Sequence, residues 1–128
     1  MSYYFDTKVS ADFESVKKKV ISELEKEGFG ILSEIDVQAT LKKKLDVDFK
    51  KYLILGACNA PFAHEALKTE NKVGTMLPCN VILQELQSGH IEVSAVNPTA
   101  SMQAIDNENL ADIAKQIGEK LQRVIAAL

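Results

Sequence analysis

The sequence predicts a two-layer α/β sandwich, in which about four helices pack on one mixed sheet of about five strands. Three observations predict it. Strand-like and helix-like segments alternate along the first half of the chain, two strand-like segments then flank Gly89, and a long amphipathic segment ends the chain. The predicted order is β-α-β-α-β-α-β-β-α, within a single domain that covers residues 1–128.

The first strand and helix are predicted from residue type and spacing. Residues 2–9 are rich in aromatic and β-branched side chains, which favour a strand. Ser10 is predicted to cap the next helix, and Gly28 is the expected stop. The apolar residues of this helix recur at helical spacing: Phe13, Val16, Val20, Ile21 and Leu24.

The next two elements are predicted in the same way. Apolar and polar residues alternate over residues 29–35, which is typical of a half-buried strand. Asp36 is predicted to cap a short helix that ends at Leu45. Residues 52–57 form an unbroken apolar run, which predicts a strand covered on both faces.

Proline and glycine mark the boundaries of the second half. Pro61 suits the start of a helix from about Ala60 to Lys68, and residues 71–78 are predicted to form a loop. Two strands over 79–87 and 90–96 are expected to be joined by a tight turn at Ser88 and Gly89.

The end of the chain is predicted to be one long helix. Asn97 and Pro98 break the preceding strand, and residues 99–106 fit no single element. Asn107 or Asn109 is the expected cap of the helix. Its apolar stripe comprises Leu110, Ile113, Ala114, Ile117, Leu121, Val124, Ile125 and Leu128.

Composition narrows the function classes. The chain has 128 residues, of which 46% are hydrophobic and 26% charged, so it can bury a core without a disulfide or metal. The net charge is −3, and Arg123 is the only arginine. Because base and phosphate recognition favours the planar arginine fork, nucleic-acid binding is disfavoured. The lysines at 42–44, 50 and 51 are interpreted as a solvated face.

The sequence gives no sign of a membrane partner. No segment reaches the about 18 consecutive apolar residues that a spanning helix needs, and the first residues lack the pattern of a secretory signal. We therefore expect a cytoplasmic protein whose two cysteines are reduced at rest.

Two Cys-Asn pairs are the most informative motif. Cys58 and Asn59 stand between a predicted strand and a predicted helix, and Cys79 and Asn80 follow Pro78 at the start of a strand. A helix amino terminus stabilises a thiolate and can also bind an anion. Burial in ordinary packing is the competing interpretation of both cysteines.

A histidine and an acidic residue extend this candidate site. His64 lies six residues after Cys58, so Cys58, His64 and Cys79 could supply three metal ligands, although their spacing matches no zinc-finger pattern. Glu34 is placed on a neighbouring strand, while His90 is expected to be exposed.

Three hypotheses stay open. The first is a homodimeric binding or sensing module for a small molecule, an anion or a soft metal. The second is a thiol-redox or thiol-transfer enzyme, with Cys58 as nucleophile, His64 as base and Cys79 as resolving thiol. The third is an interaction module that self-associates through the last helix or a sheet edge. The sequence identifies no cofactor. The ligand-binding residues of the first hypothesis are Cys58, Asn59, His64, Cys79, Asn80 and Glu34.

Several stretches resemble the bacterial and archaeal domain-of-unknown-function family 302. They are Gly-Phe-Gly-Ile-Leu-Ser-Glu-Ile-Asp-Val at 28–37, Leu-Gly-Ala-Cys-Asn-Ala-Pro at 55–61 and Leu-Pro-Cys-Asn-Val at 77–81. The resemblance covers nearly the whole chain and implies a compact α/β domain and a homodimer. It implies no activity and no catalytic residue. The matching positions are Glu34, Asp36, Cys58, Asn59, Pro61, His64, Pro78 and Cys79.

Overall fold

A computed structural model describes residues 1–128 as one five-stranded sheet with helices packed on it. The strands lie side by side in the order β1-β5-β4-β3-β2. Their bounds are β1 Tyr4–Val9, β2 Gly30–Asp36, β3 Tyr52–Cys58, β4 Cys79–Glu85 and β5 Ile91–Val96. The helices are α1 Phe13–Lys26, α2 Val37–Leu45, α3 Ala60–Thr69, α4 Pro98–Ser101 and α5 Glu108–Ala126, with a 3-10 helix at Asn71–Met76.

The predicted α/β class and order of elements are confirmed, with the 3-10 helix and α4 as additions. The sheet itself is antiparallel at every pairing rather than mixed. The reason lies in the placement of β1 and β2. These strands, joined by α1, occupy opposite edges of the sheet instead of pairing with each other.

One face of the sheet carries the main core. Alternate residues of β3, β4 and β5 are buried on this face, where α1 and α5 cover them. The apolar stripe predicted for the last helix is its buried side from Leu110 to Ile125, except that Ile113 is only half-buried. Leu128, the last predicted member, follows the helix and is also half-buried. The largest fully buried core side chains here include Leu24, Leu55, Leu83, Ile91, Leu121 and Val124.

The opposite face of the sheet is only partly covered. Ile54 and Ile82 are half-buried, and Ile35 is 48% exposed. The register places these three isoleucines opposite one another across β2, β3 and β4. The prediction that residues 52–57 form a strand covered on both faces is therefore wrong for one face. We call this surface the open face.

A register shift in β2 explains why Ile35 lies there. Ile31 pairs with Ala57 and Ser33 with Gly56, so Leu32 is an extra residue on this strand. One extra residue turns all following side chains to the other face of a sheet. Ile31 consequently packs on the core, whereas Ile35 does not.

The caps of α2 and α5 agree with the sequence, and the cap of α1 does not. The carboxylates or amides of Asp36 and Asn107 accept hydrogen bonds from Ala39 N and Leu110 N, as predicted. At α1 the cap is Asp12 rather than Ser10, because Asp12 Oδ1 accepts from Ser15 N at 2.9 Å. Strands β4 and β5 are joined over residues 86–90, where Gly89 has φ +89°.

Candidate functional site

A small pocket lies where β3 ends and β4 begins. These strands are neighbours and run antiparallel, so Cys58 and Cys79 lie at the same end of the sheet. The cavity volume is about 30 Å³, which is room for roughly two or three water molecules. The lining residues are Phe29, Ala57, Cys58, Asn59, Phe62, Ala63, Ala66, Leu77, Pro78, Cys79, Pro98, Met102, Ile113, Ala114 and Ile117.

The chemistry of the lining is apolar and neutral. Twelve of its fifteen residues are hydrophobic, and none carries a charged side chain. The polar or reactive groups are those of Asn59 and the sulfur atoms of Cys58, Cys79 and Met102. The main core and a smaller cluster meet here, because Cys79 belongs to the main core and Met102 to a second cluster with Ala66, Val73, Leu110 and Ala114.

The two cysteines differ in environment. Cys79 is 8% exposed, while Cys58 is half-buried. Burial, with a smaller contribution from the neighbouring Cys58, raises the pKa of the Cys79 thiol to about 11. Cys79 is therefore a neutral thiol at physiological pH. In the ladder it pairs with Ala57, so Cys58 lies one residue beyond its direct partner.

Asn59 connects the pocket to the end of α1. It occupies the cap position before α3, but its side chain makes no capping bond. Instead its Nδ2 atom donates to the Glu27 carbonyl at 3.0 Å. This contact ties the start of α3 to the end of α1.

Gly28 makes this contact possible. Its φ of +89° is in the left-handed region, and a Cβ there would lie 3.1 Å from Asn59 Nδ2. The Gly-Phe-Gly and Cys-Asn stretches, distant in sequence, are thus parts of one junction between α1 and α3.

Charged residues surround this junction without lining the pocket. Arg123 Nη2 donates to Glu27 Oε1 at 2.9 Å, and Arg123 Nε donates to both carboxylate oxygens. This pairing lowers the pKa of Glu27 below its usual value. Lys120 Nζ lies 5.8 Å from the ring centre of Phe62, which does line the pocket.

Three of the predicted site residues lie elsewhere. His64 is exposed on α3 and does not line the pocket. Asn80 is exposed and borders a separate depression with Pro78 and Val96. Glu34 pairs with Lys17, whose Nζ lies 2.6 Å from Glu34 Oε1. Of the six predicted residues, the fold brings Cys58, Asn59 and Cys79 together at one pocket.

The predicted metal set of Cys58, His64 and Cys79 does not form in this arrangement. No group of three or more histidine, cysteine, aspartate or glutamate side chains is placed to hold a metal ion. The reason is that His64 points away from the strand ends that carry the cysteines, on the exposed side of α3.

Sequence reasoning missed the residues that α3, α4 and α5 contribute. Phe62, Met102 and Ile113 line the pocket but sit in segments predicted as ordinary helix or left unassigned. Met102 follows α4, in the stretch that fitted no single element. Its packing against Ala66, Val73, Leu110 and Ala114 places it at the pocket.

Fold and pocket together define a class: an antiparallel two-layer α/β domain with an apolar pocket at the end of its central strands. None of its helices combines the length and apolar character that a membrane crossing requires.

The family model described as domain of unknown function DUF302 matches residues 5–128, and the chain belongs to this family. A solved structure described as "uncharacterized conserved protein DUF302 from Bacillus stearothermophilus" is similar to it. The identity is 25%, 98% of each chain is covered, and the TM-score is 0.91. No curated protein matches the chain.

Proposed function

We propose that this domain binds or senses a small ligand, and that the ligand occupies the pocket of Cys58, Asn59 and Cys79. The observation that carries the proposal is the pocket itself. Five secondary-structure elements (β3, α3, β4, α4 and α5) and the segments between them contribute to its lining, yet a cavity is left beside Cys58, Asn59 and Cys79. Concave, mainly apolar sites with a few polar groups are the usual form of a ligand pocket.

The lining narrows the ligand class. A charged organic ligand would lose its hydration without gaining an ion partner, because no charged side chain reaches the pocket. Among the ligands considered from sequence, a free anion is therefore the least supported. A cavity of about 30 Å³ also favours a ligand of few atoms unless side chains move.

Amide chemical shifts of the reduced, ¹⁵N-labelled protein would test this proposal. Titration with small neutral fragments is expected to shift the amide signals of residues 57–60, 62, 63 and 113–117. The variant Ala63→Leu, which adds volume to the lining, should abolish these shifts. Ala60→Leu on the exposed start of the same helix is the matched control and should leave them unchanged. Shifts that survive Ala63→Leu would place the ligand elsewhere and refute the pocket.

Self-association is a second candidate function, and the open face favours it. The sequence Tyr-Leu-Ile-Leu-Gly-Ala of β3 has the character of a strand covered on both sides, but its own chain buries only one. A second copy of the chain, stacked on Ile35, Ile54 and Ile82, would cover the open face. The two sheets would then lie about 10 Å apart, the usual spacing of packed sheets. The last helix is not available for this purpose, since its apolar side is already buried.

Sedimentation velocity at several concentrations would test the dimer. The wild type is expected to sediment as a dimer and Ile82→Lys as a monomer, since a lysine at the centre of the contact would be buried without a partner. Gln122→Lys, an exposed change on α5, is the control for added charge. A wild type that stays monomeric at high concentration would remove this candidate.

The thiol-enzyme hypothesis has less support from the geometry. Its resolving residue, Cys79, is a buried neutral thiol, and its base, His64, does not line the pocket. Cys58 is the more accessible thiol. Mass spectrometry after mild oxidation provides the test: a Cys58–Cys79 disulfide formed reversibly at neutral pH would revive the hypothesis.

A further inference from the structure

We infer that the pocket is a site for a monovalent soft metal ion, Cu⁺, held by the sulfur atoms of Cys58, Cys79 and Met102. The inference rests on the proposed binding function and names its ligand. Cys58 ends β3, Cys79 starts β4 and Met102 follows α4, yet all three residues line the same small pocket. No histidine or carboxylate residue lines the pocket, so the metal donors that its lining offers are sulfur atoms.

This donor set selects for the metal. Thiolate and thioether ligands favour Cu⁺, whereas zinc sites need four nitrogen, oxygen or sulfur ligands, including thiolate or imidazole. Methionine is a ligand that soft ions accept and that zinc and magnesium sites do not use. Three sulfur donors without a fourth ligand match the low coordination number of a monovalent soft ion.

The size of the cavity points the same way. A volume of about 30 Å³ accommodates a single ion with little rearrangement. By comparison, an apolar cavity that takes up benzene is about 150 Å³. Met102 can adjust to the ion, because its unbranched side chain has several rotatable bonds.

The structure also offers a group that can stabilise the charge of the bound ion and its thiolates. Each of the two thiols releases a proton to solvent, two Cu–thiolate bonds and one Cu–thioether bond form, and copper stays Cu⁺. The bound group carries a net charge of −1. Phe62 and Ala63, in the first turn of the ten-residue helix α3, line the same pocket, and the positive end of a helix stabilises negative charge.

The experiment is an anaerobic competition between the reduced protein and the coloured Cu⁺ complex of bicinchoninate. We expect one Cu⁺ per chain. Cys58→Ser and Met102→Leu should each weaken binding by more than about a hundredfold, since even indirect changes around a metal cost 10- to 100-fold. Met76→Leu, which alters an exposed methionine outside the pocket, and His64→Ala should leave the affinity unchanged.

X-ray absorption at the copper edge identifies the ligands independently of stability. A first shell made of sulfur alone is expected, and it should lose one sulfur in Met102→Leu, a substitution of similar volume that a core tolerates. A shell with nitrogen or oxygen, loss of binding in His64→Ala, or no uptake by the wild type would overturn the inference.

The two proposals fail in different ways. Neutral fragments that shift the pocket amides in a protein that takes up no Cu⁺ would refute the metal site and leave ligand binding intact. A protein that responds to neither would lose both.

Discussion

At the residue scale, Asn59 and Cys79 show how the two Cys-Asn pairs differ. Asn59 is 7% exposed and donates to the Glu27 carbonyl, while Asn80 is exposed and makes no comparable contact. Cys79 is buried in the main core, while Cys58 is half-buried at the end of its strand. The repeated dipeptide is therefore not a repeated structure, and only one asparagine has a structural role.

The asparagines provide a matched pair of variants. Asn59→Ala leaves the Glu27 carbonyl without its side-chain donor and opens a gap at the junction of α1 and α3. We expect it to lower the free energy of unfolding by about 1–3 kcal/mol. Asn80→Ala should change it by no more than about 0.5 kcal/mol. Urea denaturation of both variants gives the comparison, and equal effects would show that the Asn59 contact is unimportant.

Cys79 predicts a loss of stability at alkaline pH. Its thiol has a pKa of about 11 in the folded protein, against 9.0 for the unperturbed group. Because the folded state holds the proton more tightly, its contribution is complete below about pH 9 and is lost as the pH rises towards 11. Over this pH range the free energy of unfolding should lose on the order of 2–3 kcal/mol through Cys79.

This dependence can be isolated by substitution. Between pH 8 and about 10.5, the free energy of unfolding should fall more steeply with pH for the wild type than for Cys79→Ala. The variant keeps every lysine and tyrosine, so the difference between the two slopes reports on Cys79. Parallel slopes for the two proteins would show that Cys79 does not titrate with a raised pKa.

At the element scale, two glycines differ in whether their position needs glycine. Gly28 ends α1 with a positive φ and lies against Asn59. Gly118 lies inside α5, where a Cβ would meet Pro98 Cδ at 3.6 Å and Asn97 Oδ1 at 3.8 Å, both ordinary contact distances. The first glycine is required by backbone geometry, whereas the second only weakens its helix.

Alanine at these two positions should therefore change stability in opposite directions. Gly28→Ala is expected to cost about 1–2 kcal/mol, because an L-residue is strained at this φ. Gly118→Ala is expected to stabilise by up to about 1 kcal/mol through helix propensity. Thermal unfolding distinguishes them, and a destabilised Gly118→Ala would mean that the contact of α4 with α5 has no room for a methyl group.

At the scale of the whole molecule, Glu27 and Arg123 join the end of α1 to the last helix. They are 96 positions apart, and their pairing lowers the pKa of Glu27. A lowered pKa contributes stability that is present above the unfolded value of about 4.5 and is lost as the pH falls below it. The only arginine of the chain thus contributes to the contact between α1 and α5.

Acid denaturation tests the contribution of this ion pair to stability. Between about pH 5 and 3 the wild type should lose more stability than Glu27→Gln, which cannot ionise. Glu25→Gln, at a neighbouring exposed glutamate, is the control and should follow the wild type. If Glu27→Gln also follows the wild type, the pair contributes nothing measurable, as is common for exposed ion pairs.

The sequence by itself determined the elements that depend on local physics. Helical spacing, cap residues such as Asp36 and Asn107, and the glycine at position 28 predicted the elements and their order, since side-chain periodicity and backbone preference act over a few residues. The motifs also identified the family. They also located three residues of the pocket, because both cysteines lie at predicted strand ends.

Only the tertiary structure decided which residues meet. It separated β1 from β2, made the sheet antiparallel, removed His64, Asn80 and Glu34 from the pocket and added Phe62 and Met102. None of this is encoded locally. Strand pairing depends on which apolar faces bury the most surface together, and one extra residue in β2 is enough to turn Ile35 away from the core. The pocket exists because α3, α4 and α5 close over the strand ends, an arrangement set by packing across more than fifty residues of sequence.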